Sequence, residues 1–194
     1  MHYRRLGQSG LKVSEISLGA WITFGNQIDE KTAISLIKEA FDQGINFFDN
    51  ADMYANGQAE LVMGKAIADM PREELVISSK VFWPTMKGPN GRGLSRKHIT
   101  ESIHASLKRL GTEYVDLYFC HRYDPDTPVE EVVRTMTDLV HQGKILYWGT
   151  SEWEASQIMQ AYGAARQFGL IPPSMDQPQY NLFHRKRVED EVMP

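Results

Sequence analysis

Four residues of this 194-residue chain have the types and spacing for a proton-transfer site: Asp49, Tyr54, Lys80 and His121. FFDNADMY reads as a buried strand ending on the carboxylate of Asp49, with the phenol of Tyr54 delivered from the loop beyond. LVISSK ends on the ammonium of Lys80, and VDLYFCH on the imidazole of His121. If these strands are parallel neighbours, the four groups converge on the face of the sheet where α/β enzymes keep their chemistry. A free phenol, with a pKa of about 10, holds its proton too firmly to be an ideal acid near neutrality. A neighbouring ammonium lowers that pKa by favouring the phenolate, so Lys80 reads as the activator and Tyr54 as the acid. A partly buried ammonium needs a counter-charge, which Asp49 can supply. His121 can then donate to a carbonyl oxygen and stabilise developing negative charge. Singly, each has a plainer reading: a turn aspartate, a snorkelling lysine, a loop aromatic and a structural histidine. The joint pattern carries the reading. Cys120, beside His121, points to the opposite face of its strand and reads as packing.

The elements that must position these residues alternate regularly. A hairpin over about 1–14 turns at Gly-Gln-Ser-Gly, and ISLGAW gives a first buried strand. Ala33, Ile34, Ile37, Ala40 and Phe41 then recur at helical spacing, with Gly44 placed for a left-handed cap. INFFD, a helix stopped by Pro71, and LVISSKV follow. WPTMKGPNGRG reads as a long loop of the kind that forms lids. Ser95 caps a helix through Ile99, Ile103, Leu107 and Leu110 to Gly111, ahead of VDLYFCH. Thr127, Pro128 and Glu130 predict a capping box with proline at the first helical position. That helix buries Val132, Val133, Met136, Leu139 and Val140. ILYWGTS, a helix from about Glu154 to Phe168, and a sixth strand, SMDQPQ, complete the chain. This is the pattern of right-handed βαβ units in a parallel sheet. SLGAWITFGN does not match the GxGxxG expected after the first strand of a doubly wound dinucleotide-binding sheet, so a (β/α)8 TIM barrel is favoured. Such barrels need eight strands and typically about 250 residues, so the expectation is a barrel truncated after the sixth strand.

Composition fits an ordinary globular chain, 42% hydrophobic and 24% charged. A net charge of −4 argues against nucleic acid as a partner, and RKR at 185–187 reads as a solvated helix start. One cysteine gives no disulfide and no metal framework. No run approaches the roughly 20 apolar residues of a membrane span, so a cytoplasmic protein without membrane insertion is expected.

The motifs GLKVSEISLGAW, FFDNADMYANGQAE, VISSKVFW, GRGLSRKHI, SLKRLGTEYVDLYFCHRYDPDTPVEE, YWGTSEW and DQPQYN together resemble the aldo-keto reductases. The resemblance is closest to the branch containing the β subunits of voltage-gated potassium channels and their microbial relatives. It covers nearly the whole chain as one domain, 1–194, with five βα units and a sixth strand. It implies a barrel that reduces small aldehydes and ketones with NADPH, using Asp49, Tyr54, Lys80 and His121 as a catalytic tetrad. It further implies that Trp21 and Gln27 flank the cofactor, that Ser151 and Gln177 hold the nicotinamide carboxamide, and that Trp83 walls the substrate pocket beside Trp21. Glu152, also expected at the cofactor, stands where the family commonly has Asn or Arg. The family's last two strands, with the loop that grips the adenosine 2′-phosphate, lie outside these motifs. The channel branch implies an alternative function, an NADPH-binding regulatory subunit with a channel protein as partner. In that branch the His121 position can be Asn, so histidine favours the enzyme. A homo-oligomer is left open.

Overall fold

The computed structural model describes residues 1–193. A short antiparallel hairpin, β1 (Tyr3–Arg5) and β2 (Lys12–Ser14), precedes a five-stranded parallel sheet of β3 (Leu18–Gly19), β4 (Phe47–Asp49), β5 (Val76–Val81), β6 (Val115–Cys120) and β7 (Ile145–Thr150). Spatial order equals chain order, β3-β4-β5-β6-β7, as expected of successive βα units. The connecting helices are α1 (Glu30–Asp42), α2 (Gln58–Ile67), α3 (Arg96–Leu110) and α4 (Val129–His141), and α5 (Ala155–Phe168) follows β7. Among the described residues no helix is long and apolar enough to cross a membrane.

Side-chain alternation along the strands divides the core in two. Ile77, Val81, Tyr118, Cys120 and Trp148 face outward into the main core with the helices. Val76, Leu117 and Phe119 face inward, joined by Val13 of the hairpin and flanked by Phe47, Tyr147 and Met175. The hairpin thus plugs one end of the inner surface and leaves the strands' C-terminal ends for chemistry.

One helix start differs from expectation. No side-chain capping bond forms at the start of α4, because the Thr127 hydroxyl donates to Asp124 Oδ2 at 2.8 Å. A reciprocal capping box forms instead at α5, between Glu154 and Gln157. Ser95 does cap α3, accepting from the His98 N–H at 3.2 Å, and Gly111 closes that helix in the left-handed region.

The sixth strand is reduced to one parallel bridge, Thr150 to Asp176. Its run nevertheless lies along β7, with the Ser174 N–H donating to the Trp148 carbonyl at 2.8 Å and the Gln177 N–H to that of Thr150 at 2.9 Å. Arg187 is not the solvated residue expected of RKR: it bonds Glu152 Oε2 at 2.6 Å and the Trp153 carbonyl.

Candidate active site

Strand register sets the site. Lys80 pairs with Phe119 and Cys120 with Thr150, and the ladder continues past the strand ends, His121 N–H to the Val81 carbonyl at 3.0 Å and Ser151 N–H to that of Cys120 at 3.0 Å. Inward alternation then places Asp49, Lys80, His121, Ser151 and Gln177 on successive strand ends. Cys120 faces the helices, fully buried, and its thiol pKa is pushed up by burial.

Lys80 is the hub. Its ammonium, 1% exposed, donates to Asp49 Oδ2 at 2.6 Å, to the Asn50 carbonyl at 2.8 Å and to the Tyr54 hydroxyl at 3.1 Å. These three bonds match its three N–H donors. Asp49 is fixed by two further donors, Ser78 Oγ at 2.7 Å and Gln177 Nε2 at 3.1 Å, both to Oδ1. The Ser151 hydroxyl in turn donates to the Gln177 carbonyl at 3.1 Å.

Tyr54 enters from a turn in which Ala55 (φ 48°) and Asn56 (φ 54°) both occupy the left-handed region. Such a conformation in non-glycine residues costs on the order of 1 kcal/mol each and persists where surroundings over-determine it. Gly25 lets the preceding loop close down on this turn, since a Cβ there would come within 2.7 Å of Gln58 Cβ. That loop brings the Trp21 ring to 6.5 Å from the ring of Tyr54.

Burial raises the pKa of Tyr54; Lys80 opposes the rise and Asp49 adds to it. The sequence expectation that Lys80 brings the phenol below its ordinary value is therefore not met: Lys80 pulls the pKa down, but burial outweighs it and Asp49 adds to the rise. The phenol keeps its proton at neutrality, as a proton donor must. Burial, and then the charges of Lys80 and Arg122, push the pKa of His121 down to about 3, so the imidazole is neutral. Its Nδ1 is buried without a partner, leaving Nε2 as the nitrogen that faces the cleft. Its ring meets those of Tyr54 (5.9 Å) and Trp83 (6.4 Å) edge-on.

Asp49, Tyr54 and His121 line a cleft of about 540 Å³ together with Gly19, Trp21, Arg122, Ser151, Glu152 and Gln177, whereas Trp83, expected at its wall, is not among the lining residues and meets the cleft through the His121 ring. Gly19 leaves open space at its wall, where an added Cβ would meet nothing within 4 Å. The Ser151 hydroxyl and the Gln177 amide offer the mixture of donors and acceptors that a carboxamide requires, so these residues fit the nicotinamide end of a dinucleotide. Gln27 is exposed and does not line the cleft. Glu152 does, but its carboxylate is engaged by Arg187 and by the Gln179 N–H.

Behind the site lies a buried polar cluster that sequence reasoning missed. Glu60, fully buried, accepts from Ser79 Oγ and from Arg109 Nε, both at 2.6 Å. Asp52, 2% exposed, has no hydrogen-bond partner for either carboxylate oxygen, and the Ser102 hydroxyl beside it stays outside bonding geometry. Burial, reinforced by the charge of Glu60, raises the Asp52 pKa to about 8. The one sequence signal for this cluster is Glu60 itself, a charge set among Ala59, Leu61, Val62 and Met63 in the first turn of a helix, where a carboxylate is ordinarily solvated.

A parallel arc of five strands, each followed by a helix, is the architecture of part of a (β/α)8 barrel. The profile of the Aldo/keto reductase family matches residues 15–194, and the chain belongs to that family. It is 54% identical over its whole length to a probable voltage-gated potassium channel subunit beta of Arabidopsis thaliana, and 53% identical to the corresponding protein of Oryza sativa subsp. japonica. In each case the chain spans 60% of the relative's length. The crystal structure of a thermostable aldo-keto reductase in complex with the inhibitor epalrestat superposes with a TM-score of 0.85 at 34% identity, over 97% of this chain and 66% of that one.

Proposed function

We propose that the chain carries the catalytic tetrad of a cytosolic NADPH-dependent reductase that converts small aldehydes or ketones to alcohols. The observation that carries this reading is the hydrogen-bonded line Asp49, Lys80, Tyr54, closed within 3.1 Å at each step. The bound nicotinamide would supply the hydride to the carbonyl carbon. Tyr54 gives its hydroxyl proton to the carbonyl oxygen, and Lys80 stabilises the tyrosinate left behind until solvent returns the proton. Asp49 offsets the charge of Lys80 and aims it. His121, neutral, offers Nε2–H to the carbonyl oxygen, orienting it and stabilising charge that builds there. Trp21 supplies an apolar wall, while Ser151 and Gln177 hold the carboxamide.

Tyr54→Phe tests the reading in the protein at its full encoded length. Turnover of an aldehyde should fall by several orders of magnitude while NADPH affinity, followed by fluorescence, stays near wild type. A variant that kept a tenth of the wild-type rate would remove Tyr54 from the role of acid.

A second reading is supported by the names of the similar plant proteins: an NADPH-binding subunit that turns over slowly and regulates a potassium channel. Steady-state NADPH oxidation with a panel of aldehydes separates the two. A histidine at 121 and a complete tetrad favour turnover.

A further inference from the structure

The charges around the cleft do not cancel. Asp49 is offset by Lys80 at 2.6 Å, and Glu152 by Arg187 at 2.6 Å. His121 is neutral. Arg122, half-buried at the end of β6, also lines the cleft, and among the described residues it forms no ion pair. The next carboxylate along the chain, Asp124, is already held by the Leu94 N–H at 2.7 Å, the Thr127 hydroxyl at 2.8 Å and the Asp126 N–H at 3.1 Å.

A plainer role for Arg122 is as a prop, since its Nη1 donates to the His121 carbonyl. That bond uses one of the five N–H donors of a guanidinium. The guanidinium carbon also sits 5.8 Å from the centre of the Trp83 ring, a cation–π contact that leaves its charge unneutralised. A guanidinium with most of its donors unused, lining the cleft beside a proton donor, is suited to a planar or tetrahedral oxyanion.

We propose that Arg122 makes the cleft selective for carbonyl compounds that bear an anionic group, a carboxylate or a phosphate, which the guanidinium binds while Tyr54 and His121 face the carbonyl oxygen. This rests on the reductase reading above. The guanidinium is assigned to substrate rather than cofactor phosphate because Arg122 lies over Trp83, at the end of β5. Ser151 and Gln177, by contrast, lie on the β7 side of His121.

The test compares 4-formylbenzoate with its uncharged methyl ester, in wild type and in Arg122→Gln, in the protein at its full encoded length. The ratio of kcat/KM values is read, and the ratio of binding constants is read in parallel from quenching of tryptophan fluorescence, which Trp21 and Trp83 should report. A charge-assisted contact in a half-buried site predicts a wild-type preference for the anion of roughly tenfold or more, shrinking as salt is raised. In Arg122→Gln the ratio should fall to within about threefold of unity. A wild-type ratio near one, or a preference that survives in Arg122→Gln, overturns the proposal. Absence of turnover with both aldehydes would overturn the reductase reading instead, and the binding ratio would still decide the role of Arg122. A 4-phosphonobenzaldehyde arm distinguishes phosphate-type from carboxylate substrates by which shows the larger ratio.

Discussion

Asp52→Asn replaces a buried carboxyl with its neutral isostere. Asp52 is 2% exposed, has no hydrogen-bond partner, and has a pKa raised to about 8 by burial and by Glu60. In the unfolded chain the same group titrates at about 3.9. Because the folded pKa lies above the unfolded one, the protonated carboxyl's contribution to stability is fully present below about pH 3.9 and is lost as the pH rises through about 8. Over most of that window folding takes up close to one proton at this site, so stability falls by about 1.4 kcal/mol per pH unit. Between about pH 5 and pH 8 the wild-type chain should therefore lose about 4 kcal/mol relative to Asp52→Asn, since titrations common to both cancel in the difference. Urea unfolding at several pH values reads this directly. With a slope of about 2 kcal/mol per molar, the two midpoints should move apart by about 2 M across the range, the asparagine variant gaining. A midpoint difference that stays constant with pH would mean that Asp52 does not hold a proton in the folded protein.

Lys80→Met removes the charge but keeps the aliphatic stem, leaving Asp49 buried with only Ser78 and Gln177. Breaking a buried pair typically costs about 3–5 kcal/mol, and the two remaining donors place this one at the lower end, about 3; a variant that melts at the wild-type temperature would show that the pair is not energetically coupled. Turnover should fall with it, since Tyr54 loses the cation that stabilises its conjugate base. Glu152→Asn trades an ion pair with Arg187 for a residue better suited to the backbone at 152, where φ is 61°. The expected result is faster tryptic cleavage at 185–187 with NADPH affinity within about threefold of wild type, because the carboxylate holds Arg187 of the C-terminal segment and not the cofactor. Unchanged cleavage together with a tenfold gain in affinity would place Glu152 against the cofactor after all.

The βα units and the convergence of Asp49, Lys80 and His121 are legible in the sequence because both follow from short-range periodicities. A strand alternates with period two, a helix with period 3.6, and a glycine or proline marks the change. What stays hidden depends on partners distant in sequence. Arg109 and Glu60 are 49 residues apart, and Arg187 and Glu152 are 35 apart, so neither pair leaves a local mark. Each charge, read within its own segment, looks solvated. Thr127 has the right residue type and spacing for a cap, but its hydroxyl is claimed by Asp124, three residues earlier. The α5 box is hard to read because glutamate is an uncommon capping residue, yet Glu154 and Gln157 satisfy each other's backbone N–H groups. Motif alone places Gln27 at the cofactor; its side chain is exposed and is not among the residues that line the cleft.

The three bonds of the Lys80 ammonium bear on how such a site survives its own substrates. Aldehydes condense with free amines, and a lysine a few ångströms from a bound aldehyde would ordinarily invite an imine. Imine formation needs a nitrogen lone pair and an open line of approach. Here every proton on the nitrogen is held by an acceptor, one of them a carboxylate, and the side chain is sealed behind the phenol of Tyr54. On the reductase reading, these bonds keep Lys80 inert toward electrophiles, so the site holds reactive carbonyl compounds without being covalently poisoned by them.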